Sequence, residues 1–266
     1  MRLIDTHAHL YSKKFDADRP EMMKRAMESG IDRFFLPNID RGSIKGMLQL
    51  EKDYPGQCFA MMGTHPCSIK DDYKEELAAV ERWLGERPFC AIGEIGLDLY
   101  WDKAHLRQQQ DAFRQQIRWA KELGTPIVIH SREATAEVLD ILEAEKDERL
   151  HGIFHCFTGT LEEARRIINL DFYLGIGGVV TFKNGGLDKV VADISLEHLV
   201  LETDAPYLAP APKRGKRNES AYVRLVAEKV AAAQGVPFAE VARATTANAE
   251  QIFKTEKLSE QPVLAS

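Results

Sequence analysis

"PIVIHSREATAEVLDILEAEK" (residues 126–146) carries two periodicities in succession. Its first five residues are an apolar, β-branched run ending on His130, which reads as a buried strand. From Ser131, a candidate N-cap, the chain turns charged and amphipathic, which reads as a helix. A strand followed at once by a helix is the repeating unit of a parallel α/β sheet. Seven other strand-like runs have the same sequel: "RLIDTH" (2–7), "RFFLPN" (33–38), "CFAMMGTH" (58–65), "FCAIGEI" (89–95), "GIFHCF" (152–157), "FYLGIG" (172–177) and "HLVLET" (198–203). Between them lie amphipathic segments such as "HLRQQQDAFRQQIRWAKELG" (105–124), closed by a glycine at the C-cap position. Eight strands alternating with helices predict a closed (β/α)8 barrel of the α/β class. An open doubly wound sheet is the alternative, and no G-x-G-x-x-G follows the first strand to support it. Two further helical stretches (218–235 and 237–253) complete one barrel domain over 1–253, and "KTEKLSEQPVLAS" (254–266) reads as a short, frayed tail.

The bulk numbers agree with a single globular unit. At 266 residues, 44% hydrophobic and 29% charged, the chain has the composition of an ordinary folded domain with a substantial core. Its formal charge of −6 argues against broad, non-specific coating of nucleic acid, while leaving room for a local phosphate site. No apolar run is long enough to span a membrane, and Asp5 interrupts the N-terminus before a secretory apolar region forms. Cys58, Cys67, Cys90 and Cys156 show no C-x-x-C spacing. A cytoplasmic protein with reduced thiols is expected, a monomer with no obligate protein partner.

The unusual polar residues cluster at the ends of the strand runs. His7 and His9 close the first, His65 follows the third, Glu94 ends the fourth, His130 the fifth and His155 the sixth, and Asp204 follows the eighth in "LETDAPYL". Each has an ordinary reading taken singly: a histidine after an apolar strand is commonly a satisfied terminus, and Asp204 before Ala-Pro suits a turn. A barrel, however, gathers all C-terminal strand ends on one rim, so seven potential ligands from six strands converge there. His105, His151 and His198 sit at helix or strand starts, away from that rim, and read as structural. Nitrogen and carboxylate oxygen without thiolate suit Zn, Mn, Fe, Ni or Mg. The set is too large for one tetrahedral ion, so two divalent cations are expected roughly 3.5–4 Å apart, with Glu94 as the bridging carboxylate. Asp5 and Glu202, on the faces of His7 and Asp204, are expected to support the ligands from behind.

As a set, "DTHAHL" (5–10), "GTHP" (63–66), "IGEIGLD" (92–98), "PIVIHSR" (126–132), "HCFTG" (155–159), "ETDAPYLAP" (202–210) and "RGKRNE" (214–219) resemble the TatD family of metal-dependent hydrolases among the amidohydrolase-like barrels. The resemblance runs from residue 1 to about 253 in the family's order. It implies one cation held by His7, His9, Glu94 and Asp204 and a second held by Glu94, His130 and His155. It also implies phosphodiester hydrolysis, typically of DNA and often as a 3′-to-5′ exonuclease.

Chemistry read from the residues points the same way. Two cations held there would supply an acidic water as nucleophile toward phosphorus; Asp204 would orient it and accept its proton, and His65 would hydrogen-bond a phosphate or leaving oxygen. Lys213, Arg214, Lys216 and Arg217 form a basic cluster in an acidic protein, either a solvated loop or a clamp on the phosphate backbone. Arg132 and Thr158 are candidates for further phosphate contacts. Tyr100, Trp101 and Tyr207 fall near the mouth, where they either stack on a base or pack loops. Three rival functions use the same residues: an amidohydrolase acting on a small molecule, an esterase acting on (D-)aminoacyl-tRNA, and a non-catalytic metal-binding module.

Overall fold

The computed structural model describes residues 1–101 and 103–265. Among the described residues, eight parallel strands follow the chain in order: β1 (Leu3–Asp5), β2 (Ile31–Pro37), β3 (Cys58–Met61), β4 (Ile92–Asp98), β5 (Ile127–Arg132), β6 (Gly152–Phe154), β7 (Phe172–Ile176) and β8 (Leu199–Leu201). Nine α-helices among the same residues surround them: α1 (Arg19–Glu28), α2 (Ile44–Asp53), α3 (Tyr73–Glu86), α4 (Leu106–Leu123), α5 (Thr135–Glu145), α6 (Leu161–Asn169), α7 (Leu187–Ala192), α8 (Val223–Gln234) and α9 (Phe238–Phe253).

The regular ladders form two arcs, β1–β2–β3 and β4 through β8, each strand paired with its sequence neighbour. Irregular segments close the two seams. Between β3 and β4, the Met62 N–H donates to Ala91 O and the Gly93 N–H to Met62 O, both at 3.1 Å. Between β8 and β1, Thr6 N–H donates to Leu201 O (3.0 Å), Asp204 N–H to His7 O (2.9 Å) and His9 N–H to Ala205 O (2.7 Å). The expected (β/α)8 barrel is therefore closed, and both seams run through the motif-bearing residues.

The interior follows from strand alternation. Ile4, Phe35, Met61, Ala91, Val128, Ile153 and Val200, one from nearly every strand, pack in one buried cluster with partly buried Tyr173 of β7. Side chains from seven strands and from Ala91, just before β4, meet only inside the barrel. Phe253, at the end of α9, closes this layer by stacking on Phe35 with ring centroids 3.7 Å apart. His130, His155 and Glu202 stand two residues beyond Val128, Ile153 and Val200, so the two-residue period puts them on the same inward face, one layer higher.

Several ends are shifted by a few residues, β4 running over Ile92–Asp98 and not 89–95, and two features depart further from the sequence-based expectation. Ser131 is not an N-cap: β5 runs on through Arg132, α5 begins at Thr135, and the Ser131 hydroxyl lies 3.2 Å from that of Thr135. The tail expected to fray is docked over its described part. Residues Thr255–Glu260 form a 3₁₀ turn, and Leu264 is buried and donates its N–H to Leu84 O of α3 at 3.0 Å. Leu258 and Leu264 supply the apolar surface that secures it. Ser266, the last residue of that tail, lies outside the described residues.

Candidate metal centre

Glu94 is the hub of the rim. The β4–β5 register shifts between Gly93 and Ile95, a bulge that re-aims the intervening side chain. Gly96, at φ +136°, allows β5 to pass so close that a Cβ there would lie 2.0 Å from His130 O. The Glu94 carboxylate is 2% exposed, and its two oxygens face different residues. Oε2 lies 3.1 Å from His7 Nε2 and 3.5 Å from His9 Nε2. Oε1 lies 2.9 Å from His130 Nδ1, 3.4 Å from His155 Nε2 and 3.3 Å from His65 Nε2. Asp204 Oδ1 completes the first group at 3.5 Å from His9 Nε2 and 4.0 Å from His7 Nε2. All seven residues marked on the strand ends thus meet in one place.

In His130, His155 and His9 the far ring nitrogen shows what the near one offers, whereas His7 Nδ1 is buried without a hydrogen-bond partner among the described residues. His130 Nε2 is 3.0 Å from Asp98 Oδ2, and His155 Nδ1 is 3.0 Å from Glu202 Oε1. A carboxylate only accepts, so both far nitrogens carry protons, and neutral rings turn lone pairs toward Glu94. His9 Nδ1 lies 3.0 Å from the Tyr11 hydroxyl, which itself donates to Pro37 O at 2.5 Å. His9 Nδ1 therefore also donates, leaving Nε2 as an acceptor. Lone pairs aimed at a carboxylate within 3.5 Å repel unless a positive charge lies between them. The residues present fit divalent cations.

His65 is the exception. Its Nδ1 accepts the Cys67 N–H at 3.0 Å, so in the neutral ring the proton sits on Nε2, aimed at Glu94. This geometry makes His65 a donor beside the ligands and not one of them.

Electrostatics tell the same story. Burial disfavours charge on His155, yet Glu202 and Glu94 push its imidazole up to about 10, as expected where carboxylates lack a counter-charge. Burial likewise opposes ionisation of Glu94 and Asp204, but the surrounding histidines hold both carboxyls below their ordinary values. Asp98 is held at about 2: burial works against its charge, and the hydrogen bond and charge of His130, with the Trp101 N–H, together outweigh it.

Of the two expected supports, Glu202, read as lying behind Asp204, holds His155 instead. It is buried and also accepts the Cys156 N–H at 2.7 Å. Asp5 acts at one remove. It accepts from Thr203 N–H (2.9 Å) and Thr203 hydroxyl (2.6 Å), locking β1 to the segment that carries Asp204, and burial raises its carboxyl to about 7.

The cluster floors a cavity of about 620 Å³ whose wall includes Arg132 and Thr158. Lys213, Arg214, Lys216 and Arg217 are not among the described residues lining it. The Arg217 guanidinium binds Asp18 through two bonds of 2.6 and 2.8 Å. Arg214 lies 4.1 Å over the Phe182 ring, Lys213 5.6 Å over that of Tyr222, and Lys216 is exposed. His105, His151 and His198 stay outside the cluster: His151 Nδ1 bonds Arg149 O, and His105 faces Asp71. A larger, more open groove of about 810 Å³ between α2 and α3 is lined by none of these residues.

Fold and site together are those of a metal-dependent barrel hydrolase. The chain belongs to the TatD family: the family described as TatD related DNase matches residues 4–254. It is 42% identical over 253 residues to an uncharacterized metal-dependent hydrolase, YabD, of Bacillus subtilis (strain 168), covering 95% of this chain and 99% of the relative. It is 34% identical over 257 residues to the 3′-5′ ssDNA/RNA exonuclease TatD of Cronobacter sakazakii, covering 94% and 97%. The crystal structure of YjjV, a TatD homolog from Escherichia coli K12, superposes with a TM-score of 0.90 at 28% identity, covering 95% and 98%.

Proposed function

We propose that this protein is a two-cation phosphodiesterase that removes nucleotides from the 3′ end of single-stranded nucleic acid, DNA foremost, as a cytoplasmic monomer. The observation that carries the reading is the division of the Glu94 carboxylate between two groups of imidazoles. His7, His9, Asp204 and Glu94 Oε2 would hold one cation; His130, His155 and Glu94 Oε1 would hold the other. When bound, such a pair neutralises phosphate charge and makes water acidic enough to attack near neutral pH.

The chain's own groups supply the rest. Asp204, an ionised carboxylate only 15% exposed, orients the attacking water and takes its proton. His65 donates its Nε2 proton to a phosphate or leaving oxygen. Arg132 and Thr158 flank the phosphate at the cavity wall. Lys213, Arg214 and Lys216 offer positive charge to the rest of the strand, while Arg217 serves such a clamp only by leaving Asp18. A relative of similar length named as a 3′-5′ ssDNA/RNA exonuclease supports the substrate class, and four free cysteines suit a reducing compartment.

The test is hydrolysis of a 3′-labelled single-stranded oligonucleotide by wild type and His130→Ala, after chelation and re-addition of Mg²⁺, Mn²⁺ or Zn²⁺. Cation-dependent release of the label with the first nucleotide removed is expected. The variant should be slower by about a hundredfold or more, since losing a ligand exceeds the usual cost of losing a ligand's support. Label retained with every cation, or turnover confined to an aminoacyl ester, contradicts the reading.

A further inference from the structure

Six large apolar side chains among the described residues are at least two-fifths exposed, and four of them stand at the mouth of the metal cavity. Trp101 (70%) and Tyr100 (49%) follow β4, while Tyr207 (45%) and Leu208 (41%) follow β8. The other two, Met1 and Val263, are near the chain ends. Trp101, Tyr207 and Leu208 all line the cavity. Exposed apolar surface gathered around a cavity floored by histidines and carboxylates marks a binding surface.

Both walls are tied to the ligand shell. Asp98, whose Oδ2 holds His130, uses Oδ1 to accept the Tyr100 N–H at 3.0 Å and the Trp101 N–H at 3.2 Å. One carboxylate thus fixes a candidate metal ligand and the aromatic loop together. Across the mouth, the Tyr207 N–H donates to Asp204 O at 2.8 Å. The buried Asn218 amide ties Tyr207 O (2.7 Å) to Thr203 O (2.8 Å). Leu208 is held at φ +51°, a conformation that a branched apolar residue keeps only when its surroundings fix it. Each wall also carries a cation: Arg132 lies 3.7 Å over the Tyr100 ring and 5.5 Å over that of Trp101, and Lys14 4.5 Å over that of Tyr207.

We infer that Trp101 and Tyr207 form the walls of a stacking subsite for one unpaired nucleobase, that of the nucleotide adjoining the scissile phosphate. The inference rests on the nucleic-acid reading proposed above. A flat ring with apolar faces matches the aromatic walls, and Arg132 and Lys14 beside them match the phosphate on its 5′ side and the next along the strand. In a duplex those faces are covered by neighbouring bases, so the subsite admits a base only after it has left the stack.

The test uses two single-stranded oligonucleotides that differ only at the 3′-terminal nucleotide, which carries thymine in one and is abasic in the other. Of the three tryptophans, Trp101 alone lines the cavity, so its fluorescence reports stacking independently of turnover. Binding of the thymine-ended strand should quench it, and the abasic strand should not. Trp101→Phe should abolish the quench and keep KM near wild type. Trp101→Ala, which removes an exposed side chain and leaves the core intact, should raise KM about tenfold for the thymine-ended strand and leave KM for the abasic strand and both kcat values close to wild type. Equal KM for the two strands in wild type, or an equal loss on both in Trp101→Ala, overturns the subsite while sparing the nuclease reading. A wild-type protein that neither binds nor cleaves either strand overturns both.

Discussion

Asp204 holds φ at +55°, in the left-handed region, and is one of the few non-glycine residues to do so. Asparagine tolerates that conformation as well as aspartate does, so Asp204→Asn tests chemistry without disturbing the backbone. It should leave the thermal midpoint within a few degrees and lower kcat by about 10²- to 10⁴-fold. Activity near wild type would remove Asp204 from its assigned role. Asp98 makes a sharper case, because its two oxygens accept from different sides. An asparagine has one oxygen and one amide: serving the Tyr100 and Trp101 N–H groups forces an amide donor onto His130 Nε2. The His130 proton then moves to Nδ1, facing Glu94. Asp98→Asn should weaken one of two cation-binding steps by about 10- to 100-fold, read by competition with a chromogenic chelator, and leave the other step unchanged. Unchanged affinity at both would show that Asp98 does not set the tautomer. Asp98 was missed in the sequence although "IGEIGLD" carries the signal: it stands four residues beyond Glu94 on the same strand, and an even spacing shares a face. Tyr11 carries no such signal, because it reaches His9 through a loop whose path no periodicity records.

Strands were located within a few residues by their apolar runs, but what sits on the loops between elements depends on partners distant in sequence. The basic cluster after β8 shows this. In the chain it looks like four equivalent cations; in the fold, Arg217 joins Asp18 at the N-terminus of α1, and the same carboxylate receives Arg25. Hydrogen bonds from Arg217 and then Arg25 hold the Asp18 carboxyl well below its ordinary value. A depressed carboxyl pKa adds stability that is fully present above the unfolded value, near pH 4, and is lost as pH falls through the folded one. Arg217→Ala should therefore lower stability by at most about 1 kcal/mol near neutrality, because the pair is partly exposed. The gap from wild type should narrow as unfolding is measured toward pH 2. A large loss of oligonucleotide affinity with unchanged stability would instead return Arg217 to the phosphate clamp. The docking of Leu264 on α3 was equally illegible, since a single leucine in a polar tail carries no pattern.

Across the whole molecule, alternation of strand and helix specified the barrel, and the barrel in turn made sense of the histidines. No single pair of them argues for metal; a closed rim that forces six strand ends together does. The seams of that rim lay beyond sequence reading, because they are made by irregular backbone around Met62 and Ala205 and by the Asp5–Thr203 bonds, with no ladder pattern to read. They also explain why the motifs fall where they do: closing the barrel between β8 and β1 brings Asp204 beside His7 and His9. The central claim is that Glu94 joins two cation sites through its two oxygens. The most direct measurement is the Mn²⁺ content of the reconstituted protein together with its electron paramagnetic resonance spectrum, for wild type and Glu94→Gln. Two ions per chain with an exchange-coupled spectrum, replaced in the variant by the spectrum of isolated ions, is the predicted result. One ion per chain, or two ions that remain uncoupled in wild type, would contradict it.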